Sequence, residues 1–353
     1  MKYAFITFAI VMMAAALSSS SNNHAGALPR RLIRRAMDIT QCFKGLAFDG
    51  ACKEQFKPGG IFTAVRAIRL TSLALDFTDP NPLKVTLSSP EMLVDVIPGL
   101  PVTITSTRQD VILVDNGVEI AKFSTPWVDG VMEGDILRTT VGITALDVID
   151  ASRDQFSAFI SSLTSNAKHT FTLKGTVDVK LTIATPSAPI PFRSFAPSIT
   201  ITGIYFESEV TLDGFANFPD IQYEGLLEKS ENADGSFTVK SKVNIKNVSQ
   251  LSVKMGDVQF NTFDAISSEA IGVTVFEQLT LEHGDNHIIA VTTSTSATKN
   301  PHEIYKRVTE NGETFRFEGS LESSKNDPIL AKGISVVKTS VKVPVLNTPA
   351  PAS

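Results

Sequence analysis

The sequence predicts a mostly-β protein built from two copies of one antiparallel β-sandwich, each with a helix beside it. Three observations carry this expectation. From Phe62 onward, Val, Ile, Leu, Thr and Phe alternate with polar residues, the period of strands that turn one face to a core. Turn-forming clusters interrupt them at short intervals: Asp79-Pro80-Asn81-Pro82, Asp115-Asn116-Gly117, Asp129-Gly130, Ala233-Asp234-Gly235 and Asn311-Gly312. Finally, the order of features in the first half recurs in the second. The chain has 353 residues, enough for two domains that each bury a core.

The first segment, residues 1–21, reads as a signal peptide. Lys2 precedes a short apolar run that ends at Leu17, and Ser18 to Ser21 follow. The run is shorter than the roughly 20 residues that span a bilayer, so cleavage is expected rather than anchoring. This points to a secreted, extracellular or vacuole-lumenal protein. The pair Cys42 and Cys52 fits that compartment. An oxidising lumen would join the two, and closing so short a loop stabilises by roughly 2–3 kcal/mol; the alternative is two free buried thiols. Asn247-Val248-Ser249 is a sequon, which makes Asn247 a candidate glycan acceptor.

Segment 28–61 is a basic amphipathic stretch. Leu32, Ile33, Ala36, Met37 and Phe43 recur at helical spacing, with Arg30, Arg31, Arg34 and Arg35 on the opposite face. Such a helix packs on the acidic body of its own protein or lies on an anionic membrane surface. The arginine pairs also read as dibasic processing sites. Over the whole chain, 32 Lys and Arg face 37 Asp and Glu, a balance that argues against a general nucleic-acid binder.

The first sandwich is expected over 70–212 and the second over 236–346, joined by a linker at 213–235 and followed by a disordered tail at 347–353. Clear alternating runs are Lys84 to Leu87, Val102 to Thr105, Thr176 to Ile183 and Thr238 to Ile245. Leu75–Leu87 parallels Val243–Met255, Gly117–Phe123 parallels Ala270–Phe276, and Glu133–Val141 parallels His283–Val291. A helical island follows in each half. In the first, Phe156, Phe159, Ile160 and Leu163 stand at i, i+3, i+4 and i+7 within Asp150–Ala167. In the second, Ile304, Tyr305 and Val308 form a shorter stripe in Pro301–Thr309. Each half ends on a strand pair: Thr170–Ile183 with Pro197–Leu212, and Thr314–Leu321 with Ile329–Val345.

This unit resembles the group-two late-embryogenesis-abundant domain, also called the water-stress and hypersensitive-response domain. It is a strand, Asn81-Pro82 or Asn247-Val248-Ser249, a second strand, a Gly-Asp rise, a helix and a closing strand pair. The tandem arrangement is similar to an uncharacterised fungal family of lumenal, often vacuole-associated proteins. The resemblance implies an immunoglobulin-like antiparallel sandwich with a flanking helix. It also implies lipid acyl chains held in an apolar groove between sheet and helix, and brings no catalytic residue with it.

The residues themselves give weak support to an enzyme. No Gly-x-Ser-x-Gly elbow, Cys-x-x-Cys pair or phosphate-binding glycine loop occurs. Glu282-His283-Gly284-Asp285-Asn286-His287 spaces two histidines four apart, but across a turn, so it reads as a solvated turn and not as a metal site. Trp127, the single Trp, is a candidate sugar platform or a packing plug. The 22 Phe make the case for an apolar ligand, with Phe156, Phe159, Ile160 and Leu163 as the candidate groove wall or, equally, as the face of a helix that caps an ordinary core. Each buried methylene of such a ligand contributes about 0.8 kcal/mol. The expectation is therefore a non-enzymatic lipid-binding protein without cofactor. Its alternatives are a structural or stress-protective surface protein, and a carbohydrate-active protein with two carboxylates and Trp127 in one cleft.

Overall fold

The computed structural model describes residues 65–97, 102–183, 198–233, 235–294, 303, 307 and 312–345. The expected signal peptide, the Cys42–Cys52 disulfide and the arginines Arg30, Arg31, Arg34 and Arg35 lie outside the described residues. Of the helical island at 301–309, only Glu303 and Arg307 are described, and both are helical.

The mostly-β expectation is met: the described elements include seventeen strands, two α-helices and one 3-10 helix. The first half contains β1 (Val65–Leu70), β2 (Leu73–Asp76), β3 (Lys84–Val96), β4 (Val102–Asp115), β5 (Val118–Ser124), the short β6 (Val128–Asp129) and β7 (Val131–Glu133), and β8 (Ile136–Val148). A 3-10 turn at Asp150–Ser152 leads into α1 (Arg153–Ser165), and β9 (Lys168–Ile183) and β10 (Ser198–Asp213) follow. Its strands pair antiparallel in the order β1–β3–β8–β5–β4–β9–β10. At the ends of this ribbon, β1 lies along β10, where the Ile68 N–H donates to Ser208 Oγ at 3.1 Å. The expected closing pair forms as the long β9–β10 ladder, which sets Thr170 opposite Thr211 and Lys180 opposite Thr200.

The second half contains β11 (Ile221–Glu231), β12 (Phe237–Asn247), β13 (Leu251–Asp264), β14 (Ala270–Leu281), β15 (Gly284–Ser294), β16 (Thr314–Glu318), α2 (Pro328–Ile334) and β17 (Lys338–Lys342). Here the ladder closes on itself as β11–β12–β15–β14–β13–β16–β17 and back to β11. Every pair in this ring is antiparallel except the parallel contact of β11 with β17. The result is a closed seven-stranded mixed barrel.

The two tandem immunoglobulin-like sandwiches expected from the sequence are therefore not what the structure shows. Alternation reports that one sheet face is buried. It does not report whether that face meets a second sheet or the far side of the same sheet curled round. The repeated turn illustrates the point. Asp79 and Asn247 occupy matched positions, and each side chain accepts the N–H two residues on, from Asn81 at 2.8 Å and from Ser249 at 2.9 Å. After the same turn the halves diverge. The strands β2 and β3 form a hairpin, whereas β12 bonds to β11 and β15, and β13 to β14 and β16. The halves are also not separate, because β2 runs parallel to β13, with Leu73 opposite Leu251 and Asp76 opposite Lys254.

Two further differences bear on the site. The stretch 213–235, expected as a linker, contributes β11, the first barrel strand. Its run of Glu, Lys and Ser on a half-exposed edge hides the strand period. The stretch Ile329–Val345, expected as strand throughout, begins with α2. Asp327 caps that helix, accepting from the N–H groups of Ile329 and Leu330 at 2.9 Å each, and Pro328 opens its first turn. Burial pushes the Asp327 carboxyl above its ordinary value, against the pull of those two N–H groups.

The two helices join the halves. A Cβ at Gly333 of α2 would sit 2.5 Å from Ile160 Cγ2 of α1. Only a residue without a side chain allows this approach. Beside it Lys332 pairs with Asp154 at 2.9 Å.

Candidate functional site

The alternation of the barrel strands decides what faces inward. In β12 the inward set is Phe237, Val239, Ser241 and Val243. Strand β16 adds Phe315 and Phe317, and β17 adds Val341 with Val343 just beyond it. Ala290 and Thr292 come from β15, Ile271 from β14, Thr262 from β13, and Tyr223 and Leu226 from β11. All seven strands therefore wall one interior space, a cavity of about 70 Å³. Ala290 is the smallest side chain on this wall, and it is 3% exposed. No Lys, Arg, Asp or Glu lines the cavity.

One seam of the barrel is weakly closed. Strand β11 pairs with β12 along its whole length, but with β17 at a single position, Gln222 with Lys342. The strands overlap only there, since Lys342 is the last residue of β17 and Gln222 the second of β11. Above that point β11 continues without β17, and it leaves Leu226 and Leu227 exposed at 37% and 55%. The opposite end is filled: α2 and the turn before β11 bring Ile334, Val337 and Phe218 against Phe317 and Phe276, and leave a space of only about 20 Å³.

Four hydroxyl-bearing side chains line the wall, Tyr223, Ser241, Thr262 and Thr292, and the last two belong to one row. Thr262 Oγ1 lies 2.6 Å from Thr274 Oγ1, which lies 2.8 Å from Thr292 Oγ1. The three hydroxyls cross β13, β14 and β15. Thr274 is fully buried, and Thr262 is 2% exposed.

A charged cluster closes the rim beside Phe315. Asp264, at the end of β13, accepts from the Ile266 N–H at 2.8 Å, from Ser267 Oγ at 2.8 Å and from Arg307 Nη2 at 3.0 Å. Burial alone would raise its carboxyl, but these donors prevail and hold it below its ordinary value of 3.8. Glu313 lies 3.0 Å from Arg307 Nε. Burial pushes this second carboxyl up, Arg307 opposes the rise and Asp264 adds to it. The stabilisation from ionised Asp264 is complete above pH 3.8 and is lost as the pH falls through its lowered folded value. Asp264→Asn is therefore expected to cost about 1–3 kcal/mol near neutrality. In urea titrations the gap from wild type should narrow below pH 3.8; a gap independent of pH would contradict this assignment.

The residues singled out from the sequence fall elsewhere. Phe156, Phe159, Ile160 and Leu163 form the buried face of α1, none more than 5% exposed. Phe159 packs edge-on against Phe171 at 5.3 Å and against His169 at 5.4 Å. His169 is held by the buried Asp115 at 2.8 Å. The space beside Ile160 and Leu163, closed by Leu330 and Ile334 of α2, is about 20 Å³. These four residues thus pack against α2 and β9, and the roomier cavity lies inside the barrel. Asn247 is 2% exposed, and its Nδ2 donates to the Leu251 carbonyl at 2.7 Å. The folded chain offers no free acceptor nitrogen at this sequon. Ser249 is fully buried, binding the Asp213 carbonyl through its hydroxyl.

The histidine-rich turn is held by Asn286, whose Nδ2 donates to the carbonyls of Glu282, Gly284 and Ile245. His283 Nδ1 meets the Ser249 carbonyl at 2.9 Å, and His287 Nδ1 meets Glu224 at 2.6 Å, so the two rings have separate partners. Among the described residues no three His, Cys, Asp or Glu side chains gather as metal ligands. Lys180 and Arg108 stand over the ring of Trp127, 4.3 and 5.5 Å from its centre, and Arg108 pairs with Asp178 at 2.5 Å.

Sequence reasoning found the strand Thr238–Ile245 but not its role as a cavity wall. The signal was present in the small residues Ser241 and Ala290 at inward positions. What it could not show was that the strands carrying them lie side by side, as Ser241 lies opposite Ala290.

Comparison with known proteins gives limited guidance. No curated protein matches the chain. Among solved structures, the crystal structure of the Amycolatopsis orientalis exo-chitosanase CsxA is similar at 10% identity with a TM-score of 0.19. The exo-β-D-glucosaminidase CsxA, solved in work on its inhibition by a glucosamine-configured castanospermine, is similar at 9% identity with a TM-score of 0.20. Each match covers 77% of this chain and 26% of the other. The chain thus spans about a quarter of those structures, and likeness at this level carries no argument about activity. Residues 133–262, from the end of β7 to within β13, match the profile of a family described as a protein of unknown function, DUF3712.

Proposed function

We propose that this chain is a non-enzymatic binding protein that holds a lipid-like apolar ligand inside the seven-stranded barrel. One observation carries the reading: an uncharged cavity of about 70 Å³, walled by side chains from every barrel strand. Binding in a preformed apolar site needs few polar contacts, since methylenes leaving water supply about 0.8 kcal/mol each. The sequence resemblance to group-two late-embryogenesis-abundant domains points the same way, and the leader at 1–21 supports a secreted or vacuole-lumenal setting.

Titration of the full chain with N-phenyl-1-naphthylamine tests the proposal. The expected result is saturable, one-to-one enhancement of the dye's fluorescence. Ala290→Leu places three further carbons in the cavity and is expected to weaken the dye at least tenfold, with the thermal midpoint kept. No saturable signal from the wild type, or an undiminished one from folded Ala290→Leu, would contradict the reading. A second reading, a stress-protective or structural protein acting through its exterior, is favoured by two further apolar spaces among the described residues, each only about 20 Å³. It expects no saturable signal in the same titration.

A further inference from the structure

We infer that the barrel selects a neutral amphiphile with one oxygen that accepts a hydrogen bond and donates none, a medium-chain ketone being the simplest case, over both an ionised fatty acid and a plain hydrocarbon. This rests on the apolar-ligand reading above and names the chemistry of its ligand. Three hydroxyls, Thr262, Thr274 and Thr292, stand in a row with two links between them. Each hydroxyl carries one hydrogen and two lone pairs. Two links consume two hydrogens, so the row holds one more than it uses. Among the described residues these three side-chain oxygens make no further hydrogen bond. If the links run in one direction, the spare hydrogen sits on an end member, Thr262 or Thr292, and both ends line the cavity whereas Thr274 does not. If both ends donate to Thr274, the spare hydrogen lies buried behind the wall, so the first arrangement is favoured whenever an acceptor enters the cavity.

An unmatched hydroxyl hydrogen in an apolar space is unfavourable, and a ligand oxygen removes that penalty. A hydrocarbon cannot. A carboxylate would accept the bond, but it would leave water for a wall without a single cation. The ketone oxygen accepts from the row and brings no hydrogen of its own, while its chain lies along Val239, Ala290 and Val341.

The test measures octan-2-one, octane and octanoate separately, by displacement of N-phenyl-1-naphthylamine from the full chain at pH 8. The variants are the double variant Thr262→Val/Thr292→Val and Thr262→Ser/Thr292→Ser, which keeps both hydroxyls. Valine is expected to weaken octan-2-one about tenfold in the double variant, equal to about 1.4 kcal/mol, while octane is unchanged or tighter. Serine is expected to keep ketone binding, and octanoate is expected to bind the wild type more weakly than octan-2-one. Octane binding with no such differential loss, or octanoate binding as tightly as the ketone, would overturn the inference and leave the apolar cavity standing. Failure of all three ligands and of the dye would overturn both. Should the double variant fold poorly, Thr262→Ala/Thr292→Ala, which also removes both cavity hydroxyls, decides in its place, and undiminished ketone binding there overturns the claim.

Discussion

Replacing Gly272 by alanine is expected to destabilise the chain by about 3 kcal/mol or more, and to abolish binding of the dye. An added Cβ would stand 1.9 Å from the Thr293 carbonyl oxygen and 2.8 Å from Ser294 Cα. Those are backbone atoms, so no rotamer change relieves the clash, and β14 must move away from β15. The displaced ladder is the one that sets Gly272 opposite Ser294 and Thr274 opposite Thr292, which is also the ladder bearing the hydroxyl row. Gly203 gives the contrast. It has φ +72° with nothing within 4 Å of an added Cβ, so Gly203→Ala should cost only the backbone strain of about 1–2 kcal/mol and leave dye binding intact. Urea titration of both variants checks this; equal losses would contradict the close approach of β14 and β15.

Truncation of Phe156 to alanine is expected to cost about 3–5 kcal/mol, with no direct effect on the barrel wall. The ring is fully buried in α1 and lies 6.0 Å from that of Phe159. It sits in a tightly filled layer, beside the approach of Gly333 to Ile160, so the neighbours have little freedom to close the void. The measurement is the thermal midpoint together with dye affinity. A large drop in midpoint with affinity kept is expected below the transition. An affinity loss in the folded state, without a drop in midpoint, would instead return the ligand to the groove beside α1.

These two residues show what was legible in the sequence. Phe156 was readable as buried, because its stripe at i, i+3, i+4 and i+7 is local. What the stripe meets is not readable locally: the stretch that forms α2 reads as strand, although Asp327-Pro328 is a cap followed by a first-turn proline. Gly272 gave no signal, because its demand arises from a strand paired twenty residues later. The same holds for the site. The inward set of β12 follows from period-2 alternation, and the matched Asx turns at Asp79 and Asn247 follow from residue type. The closing contact of Gln222 with Lys342 joins residues 120 apart in sequence, and no local pattern encodes it. The sandwich expectation failed at that contact, since a single parallel pairing turns a curled sheet into a barrel with an interior.

The most direct test is a crystal of the full chain grown with 1-bromooctane, its bromine located by anomalous scattering. The expected result is a bromine peak inside the ring of β11 to β17, between Ala290 and Val341, with the barrel closed around it. A closed ring with an empty interior and bromine only on the surface, or a ring collapsed so that Ala290 meets Val341, would contradict the account.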